Sequence, residues 1–394
     1  MPGLATALIL SYKQVSTTPR ILKEVDWLET RGWQVDTIGL GKKGPSKGRH
    51  FSLESNSALR RYAAYLVPNQ KLKFDFQIGQ HLDQITADFL ASYDLLIIHD
   101  LTLMPHVTLR NEIARRKGQG VQIDLHEDHL ESLARNRLEA LVFDKYRAWE
   151  LNYLLEISKL KGNRVSYTSV SHTISSRFSR YLKTNVETIR NSPRYRPFRP
   201  SNLDPGSIQL IHHGVGAPHR GIEASIRAMS QLGKGYHLNL LLLSSRPYLM
   251  KVQFLVRTRG LQDRVTLHKP VKTVEIAAYI NQFDIALMII PPVTTNELHV
   301  MPNKFFESVQ ACLAIVTGPN PDLAKTVDEL SLGVVAKGWA TGDIVNAIQA
   351  LSASEWSRAK DNSRAHAADL SALVDEDNFM RAVSRTIGPG PDFG

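Results

Sequence analysis

Apolar runs of strand length recur along the chain at residues 4–10, 35–40, 94–98, 121–125 and 165–170, and again at 208–211, 238–243, 265–267, 285–290, 314–316 and 334–336. Between them lie stretches with apolar residues three and four apart, as at Ile21, Val25 and Leu28. Runs that are apolar throughout, rather than alternating, read as strands buried on both faces. Such strands separated by helices make βαβ units and parallel sheets. The pattern therefore predicts an α/β chain of two Rossmann-like, doubly wound parallel-sheet domains. Between the two sets of runs, residues 191–206 carry Pro193, Pro197, Pro200 and Pro205. Proline has no N–H to give to a ladder or a helix interior, so this stretch reads as an interdomain linker. The predicted domains are residues 1–195 and 196–374, with a helix near 375–390 packing back on the first. Residues 388–394, rich in Gly and Pro, read as a frayed tail.

Composition agrees with two domains: 394 residues, 43% hydrophobic and 22% charged, can bury sizeable cores. The one cysteine, Cys312, falls inside a predicted helix, so neither a disulfide framework nor a Cys-based zinc site is expected. A reducing cytoplasm is the expected compartment. No basic segment precedes residues 4–10, no small-residue cleavage site follows them, and no eighteen apolar residues run together. The chain reads as neither secreted nor membrane-spanning.

Charge adds an asymmetry. The formal net charge is +10, yet residues 201–394 hold 18 basic and 18 acidic residues, so the N-terminal half carries the whole excess. Residues 151–200 alone hold 10 basic and 2 acidic residues. One half is thus expected to face something anionic, although a merely solvated basic surface has the same composition.

In parallel α/β domains ligands bind beyond the carboxyl ends of the strands, and here those ends are polar. The first run is followed by a polar segment ending at Arg20, the third by His99-Asp100, and the fourth leads through Asp124 into His126-Glu127-Asp128-His129. The first run of the second half ends in His212-His213-Gly214-Val215-Gly216 and reaches Arg220-Gly221. These loops are expected to face one another across a cleft. Gly214, Gly216 and Gly221 permit close backbone approach to a phosphate, which Arg220 can grip in bidentate fashion. Their spacing does not match G-x-G-x-x-G, which argues against a nicotinamide cofactor.

The stretch that the rest serves is Pro302-Asn303-Lys304-Phe305-Phe306-Glu307. Asn303 reads as the N-cap of a helix whose apolar positions are Phe305, Phe306, Val309 and Leu313. A helix start offers free N–H groups and a positive dipole end to a diphosphate, and Lys304 adds a full charge. Glu307, about one turn further in, could accept hydrogen bonds from a diol such as a ribose. Equally, it could do no more than complement the helix dipole.

These motifs, in this order, resemble those of GT-B glycosyltransferases, specifically glycosyltransferase family 4. The resemblance begins at Pro19-Arg20-Ile21 and Gly32-Trp33-Gln34-Val35, and continues through His99-Asp100 and Asp124-Leu125-His126-Glu127. It runs on through Val170-Ser171, Arg190-Asn191-Ser192-Pro193 and Arg220-Gly221 to the 302–307 stretch. It implies sugar transfer from a nucleotide-sugar donor (UDP- or GDP-sugar) to a glycan, lipid-linked or small-molecule acceptor, with retention and without a bound metal or other cofactor. By the same resemblance, His126 and Glu307 are the catalytic candidates, with His126 beside the reacting sugar and Glu307 on the ribose. Gly214, Gly216, Arg220, His299, Pro302, Asn303 and Lys304 join Glu307 on the donor side; Arg20, His99, Asp100, Asp124 and Glu127 lie on the acceptor side. The chain departs from the family in three places. His299 stands where many members carry a first Glu, Val215 stands where a basic residue often follows the glycine, and Cys312 and Ala314 replace a usual Gly and Pro.

Other classes remain in view. The density of His and Asp at 99–129 suits a metal-dependent hydrolase, but His126-Glu127-Asp128-His129 is not H-E-x-x-H. Asp375-Glu376-Asp377 fits D-x-D in form, yet no strand precedes it and it reads as a solvated face. A non-catalytic nucleotide-sugar-binding protein would use the same donor residues. Arg194, Tyr195, Arg196, Phe198 and Arg199, with Arg115-Arg116-Lys117, interleave cations and aromatics without any nucleic-acid-binding motif, so no nucleic acid is expected. The amphipathic residues 59–66, with Lys71, Lys73 and Phe74, suit instead a peripheral contact with an anionic membrane at its cytoplasmic face, although an ordinary surface helix has the same pattern.

Overall fold

The computed structural model describes residues 4–53, 86–99, 118–126, 130, 151–152, 154–155, 158, 164–293 and 295–387. Asp100, Glu127, Asp128, His129, residues 59–66, Lys71, Lys73, Phe74, residues 115–117 and the tail 388–394 lie outside the described residues. The chain divides into two compact units, Met1–Ile189 with Glu376–Gly394, and Arg190–Asp375.

The first unit is built on seven strands: β1 (Thr6–Gln14), β2 (Gln34–Leu40), β3 (His50–Leu53), β4 (Leu95–His99), β5 (Gly120–Leu125), β6 (Arg164–Ser169) and β7 (Val186–Thr188). Their order is β3-β2-β1-β4-β5-β6-β7, and every pair is parallel. Continuous apolar runs explain the central strands, which are buried on both faces: Leu8 and Leu10 point into one core with Leu96, Ile98, Ile123 and Leu125, while Ala7 and Ile9 are buried on the other side. The two edge strands β3 and β7 were not legible as runs. Both are short and half polar, as edge strands are free to be.

The C-terminal helix Ala372–Ile387 closes this unit from residue 376 onward. Phe379 meets Trp27 with ring centroids 5.3 Å apart, Arg31 pairs with Glu376, and Thr386 bonds Ser166. A side chain at Gly120 would lie 2.8 Å from the Ile387 methyl, so only glycine admits the helix end there. The reading of 375–377 as a solvated face needs correction. Asp375 is fully buried and bonds Arg190 at 2.9 Å and Glu376 is half-buried against Arg31, so of the triplet only Asp377 is exposed.

The second unit has six parallel strands, β8 (Ile208–Gly216), β9 (Tyr236–Ser244), β10 (Val265–His268), β11 (Ile285–Met288), β12 (Ala314–Thr317) and β13 (Gly333–Val335), in the order β10-β9-β8-β11-β12-β13. Residues alternate between two cores: Leu210, Ile285, Leu287 and Val316 in one, Ile211, Ala286, Met288 and Ile315 in the other. Strand β8 runs five residues past its expected end at 211. Its polar tail pairs with β9 all the way to Gly216–Ser244, while β11 accompanies it only at Leu210 and Ile211.

Residues 189–204 carry no regular element. They are nevertheless fastened within the second unit, where Ser201 bonds the Phe283 carbonyl at 3.0 Å and accepts from Lys360 at 2.8 Å. Among the described residues no helix is long and apolar enough to cross a membrane.

Candidate active site

Helix Asn303–Gln310 organises the second unit's site. Phe305, Phe306 and Val309 are fully buried against Ile211, Met288 and Ile315, which fixes the helix's rotation. Lys304 and Glu307, three residues apart, are therefore neighbours on a less buried side. The cap is Pro302, with φ −77° and ψ 149°, and not Asn303, which is the first helical residue and exposed. Proline presets the extended entry but brings no side-chain oxygen to the first N–H groups, which have no intrahelical partner. Nor does Cys312 lie in the helix. It follows the last turn in the left-handed conformation, φ 56°, where Gly is the usual occupant.

The extended tail of β8 brings His213 to this helix. Its Nε2 lies 3.1 Å from Glu307 Oε2, with His213 buried and the Glu307 side chain 12% exposed. Gly214 sits at φ 112°, a conformation that strains any other residue, and the nearest atom to a side chain placed there is Lys304 Cδ at 4.0 Å. It is open to a ligand. Gly216 and Gly221 have a different role: a Cβ would fall 2.7 Å from Ser244 Cβ at the first and 2.1 Å from the Ile289 carbonyl oxygen at the second. Packing demands those two glycines.

Two cations, Lys304 and Arg220, and two carboxylates, Glu307 and Glu297, meet here. Burial pushes the Lys304 ammonium down to about 8; Arg220 adds to the effect, and Glu307 only partly offsets it. Arg220 has one acidic neighbour, Glu297, at 3.7 Å, and is 41% exposed. His212 is fully buried with its Nδ1 unpartnered among the described residues, and burial, Lys304 and His213 hold it neutral. His299 follows the short helix Thr295–Leu298, half-buried, and its Nδ1 likewise has no hydrogen-bond partner among the described residues.

The first unit gathers a second cluster at the ends of β4, β5 and β6. Asp124 Oδ1 accepts from Arg20 Nη2 at 2.7 Å and Thr168 Oγ1 at 2.8 Å, while its Oδ2 lies 3.2 Å from His99 Nδ1 and 3.4 Å from His126 Nε2. His99 Nε2 is 2.6 Å from Glu24 Oε2, and Arg20 Nη1 donates to the Ile189 carbonyl. Arg20, Glu24, His99 and Asp124 are all fully buried. Burial opposes a charge on His99, but Glu24 and Asp124 outweigh it and raise its pKa to about 10. Burial would raise the Asp124 pKa, yet Arg20 and the two histidines hold it far below the usual carboxylate range. His126 goes the other way, to about 3, because burial and the cations of Arg20, Lys13 and His99 outweigh Asp124. At neutral pH, then, His99 is an imidazolium and His126 a neutral imidazole.

His99, Asp124 and His126 offer ligand atoms all within 4.8 Å of one another. They fit a metal poorly. His99 Nε2 bonds Glu24 and its Nδ1 lies 3.2 Å from Asp124, so both nitrogens face carboxylates, and Arg20 already neutralises Asp124.

Of the residues singled out from sequence, the structure groups Gly214, Lys304 and Glu307 with Arg220 close enough to act on Lys304, and Arg20, His99, Asp124 and His126 separately. Four participants were not singled out: Glu24, Thr168, His213 and Glu297. Glu24 stands one helical turn after Arg20, and Glu297 two residues before His299, so spacing alone could have flagged both. His213 needed the knowledge that β8 continues past 211.

No protein-family model matches the chain, and no curated sequence matches it. Solved structures do. Sucrose-phosphate synthase from Thermosynechococcus elongatus is 16% identical with a TM-score of 0.68, covering 98% of this chain and 100% of its own. HepE from Anabaena in complex with UDP is 11% identical with a TM-score of 0.69, over 97% and 100%. A glycosyltransferase from Rickettsia africae is 12% identical with a TM-score of 0.67, over 98% and 100%. Two all-parallel α/β units in this arrangement of strands are the GT-B fold of these enzymes.

Proposed function

We propose that the chain is a glycosyltransferase that moves a sugar from a UDP- or GDP-sugar to a saccharide, lipid-linked or small-molecule acceptor, with retention and without a metal. The observation that carries this reading is the two cations Lys304 and Arg220, the latter partly exposed, beside a helix start and an open glycine, with Glu307 one turn in. That set suits a nucleoside diphosphate: cations and N–H groups for the phosphates, a carboxylate for the ribose. Its support from outside is that HepE, of the same fold, is found with UDP-glucose.

In this reading the bond between the sugar's anomeric carbon and the diphosphate oxygen breaks, and the electron pair leaves with the phosphate. Lys304 and Arg220 stabilise the charge that grows there, while the acceptor hydroxyl attacks the oxocarbenium-like carbon on the same face and gives its proton to the departing phosphate oxygen. His126 faces the reacting sugar as a neutral imidazole. Arg20, His99 and Asp124, being buried and turned on one another, position His126 and do not touch the acceptor. The basic excess of residues 1–200 favours an anionic acceptor or one embedded in an acidic membrane.

Calorimetric titration with UDP, GDP and ADP tests the donor site and names the base. Glu307→Ala should weaken binding by about 1.5–3 kcal/mol, as for a hydrogen bond to a charged group. Unchanged affinity in both Glu307→Ala and Arg220→Ala sinks the assignment. His126→Ala should abolish turnover at nearly unchanged nucleotide affinity, and full activity in that variant excludes the role.

A further inference from the structure

We infer that His213 is a positioning residue that holds the Glu307 carboxylate for the ribose hydroxyls and thereby sets a preference for ribonucleotides over deoxynucleotides. The inference rests on the donor reading above.

The observation is the 3.1 Å contact between His213 Nε2 and Glu307 Oε2. Among the described residues nothing in helix Asn303–Gln310 itself hydrogen-bonds that carboxylate, and a Glu side chain has three rotatable bonds. Among the described residues His213 is the one hydrogen-bond partner of the Glu307 side chain. His213 is itself buried on a strand whose register with β9 is unbroken from Ile208–Tyr236 to Gly216–Ser244, so the ring is a fixed point. A buried donor aimed at one carboxylate oxygen leaves the other, Oε1, as the free acceptor. It also removes most of the rotamer freedom that a diol would otherwise have to freeze on binding.

The chemistry requires Nε2 to carry the proton, since a carboxylate oxygen can only accept. An apolar ring of the same size would fill the space without this effect. His213→Phe should therefore fold and yet leave Glu307 free to rotate. His213→Gln keeps an N–H at similar reach and should restore the contact.

Titration of the full-length protein with UDP and with 2′,3′-dideoxy-UDP reads this directly. The wild type should bind UDP more tightly than the dideoxy analogue. His213→Phe should lose roughly tenfold of that preference, and His213→Gln should recover most of it. In the double variant with Glu307→Ala, His213→Phe should cause no further loss, because both act through one carboxylate. Should the ribo-to-dideoxy ratio in His213→Phe match the wild type's, with the melting temperature unchanged, His213 has no positioning role and the inference is overturned. A drop in melting temperature with an unchanged ratio assigns it a purely structural part, which also overturns it. If the wild type binds none of UDP, GDP and ADP, the donor reading itself fails, and this inference with it.

Discussion

The two units each hold a cluster of charged side chains at the carboxyl ends of parallel strands, and the clusters differ in exposure. In the first unit Arg20, Glu24, His99 and Asp124 are buried and pair off, two cations against two carboxylates. In the second, Lys304 and Arg220 crowd together, with Glu307 bonded to a histidine and Glu297 only 3.7 Å from Arg220 at its nearest. A buried, paired network specifies local structure. A cluster partly open to solvent can take up a partner that arrives. Burial first, and Arg220 second, lower the Lys304 pKa, so a bound anion would favour its charge.

Breaking the buried cluster should have the largest effect. Asp124→Ala leaves Arg20 and His99 buried without their shared carboxylate, which should cost about 3–5 kcal/mol of stability, since an uncompensated buried charge is severely destabilising. Asp124→Asn keeps the shape and part of the hydrogen bonding, and should lie between the two. Chemical denaturation checks both. If Asp124→Ala is as stable as the wild type, the cluster is not the paired network described.

A smaller effect should appear with pH. The His99 pKa is raised from 6.5 to about 10 in the folded state. The ion pairing it contributes is thus fully present below pH 6.5 and is lost as pH rises through about 10. Melting temperatures of the wild type and His99→Gln, compared between pH 7 and 11, should converge as His99 deprotonates. A gap constant across that range refutes the charged state.

The contrast between the clusters also explains what was legible in the sequence. The parallel sheets were, because continuous apolar runs such as residues 285–290 have one interpretation once helical stretches separate them. The helix at 303–310 and its Lys-Glu spacing were legible for the same reason, being a matter of period. Its cap was not. Asn outranks Pro as a cap by propensity, but Phe305 and Phe306 had to enter the core, and that rotation began the helix one residue earlier. The inward turn of Arg20 was hidden too, since a sequence marks a residue as cationic without saying whether its partners lie on the same helix, as Glu24 does, or 104 residues away, as Asp124 does. That packing demands Gly216 and Gly221 was not legible, because a glycine needed for packing and one needed for a ligand look alike until the neighbouring atoms are known.

The smallest effect tests the second unit's cluster where it is most sensitive. With a pKa of about 8, Lys304 is about half protonated at pH 8 in the free protein. Burial and Arg220 disfavour its charge; a bound diphosphate favours it, so binding should raise the pKa and draw in a proton. Uptake of up to about half a proton per nucleotide is expected at pH 8, falling toward zero near pH 6, where the amine is already charged. Affinity should correspondingly weaken by up to about tenfold between pH 7 and 9, less than the loss expected for Glu307→Ala. Titration calorimetry at pH 8 in buffers of different ionisation heat measures the proton count, and Lys304→Met should abolish it. Were the variant to take up as many protons as the wild type, another group would be the source, and Lys304 would not be the group that answers the anion.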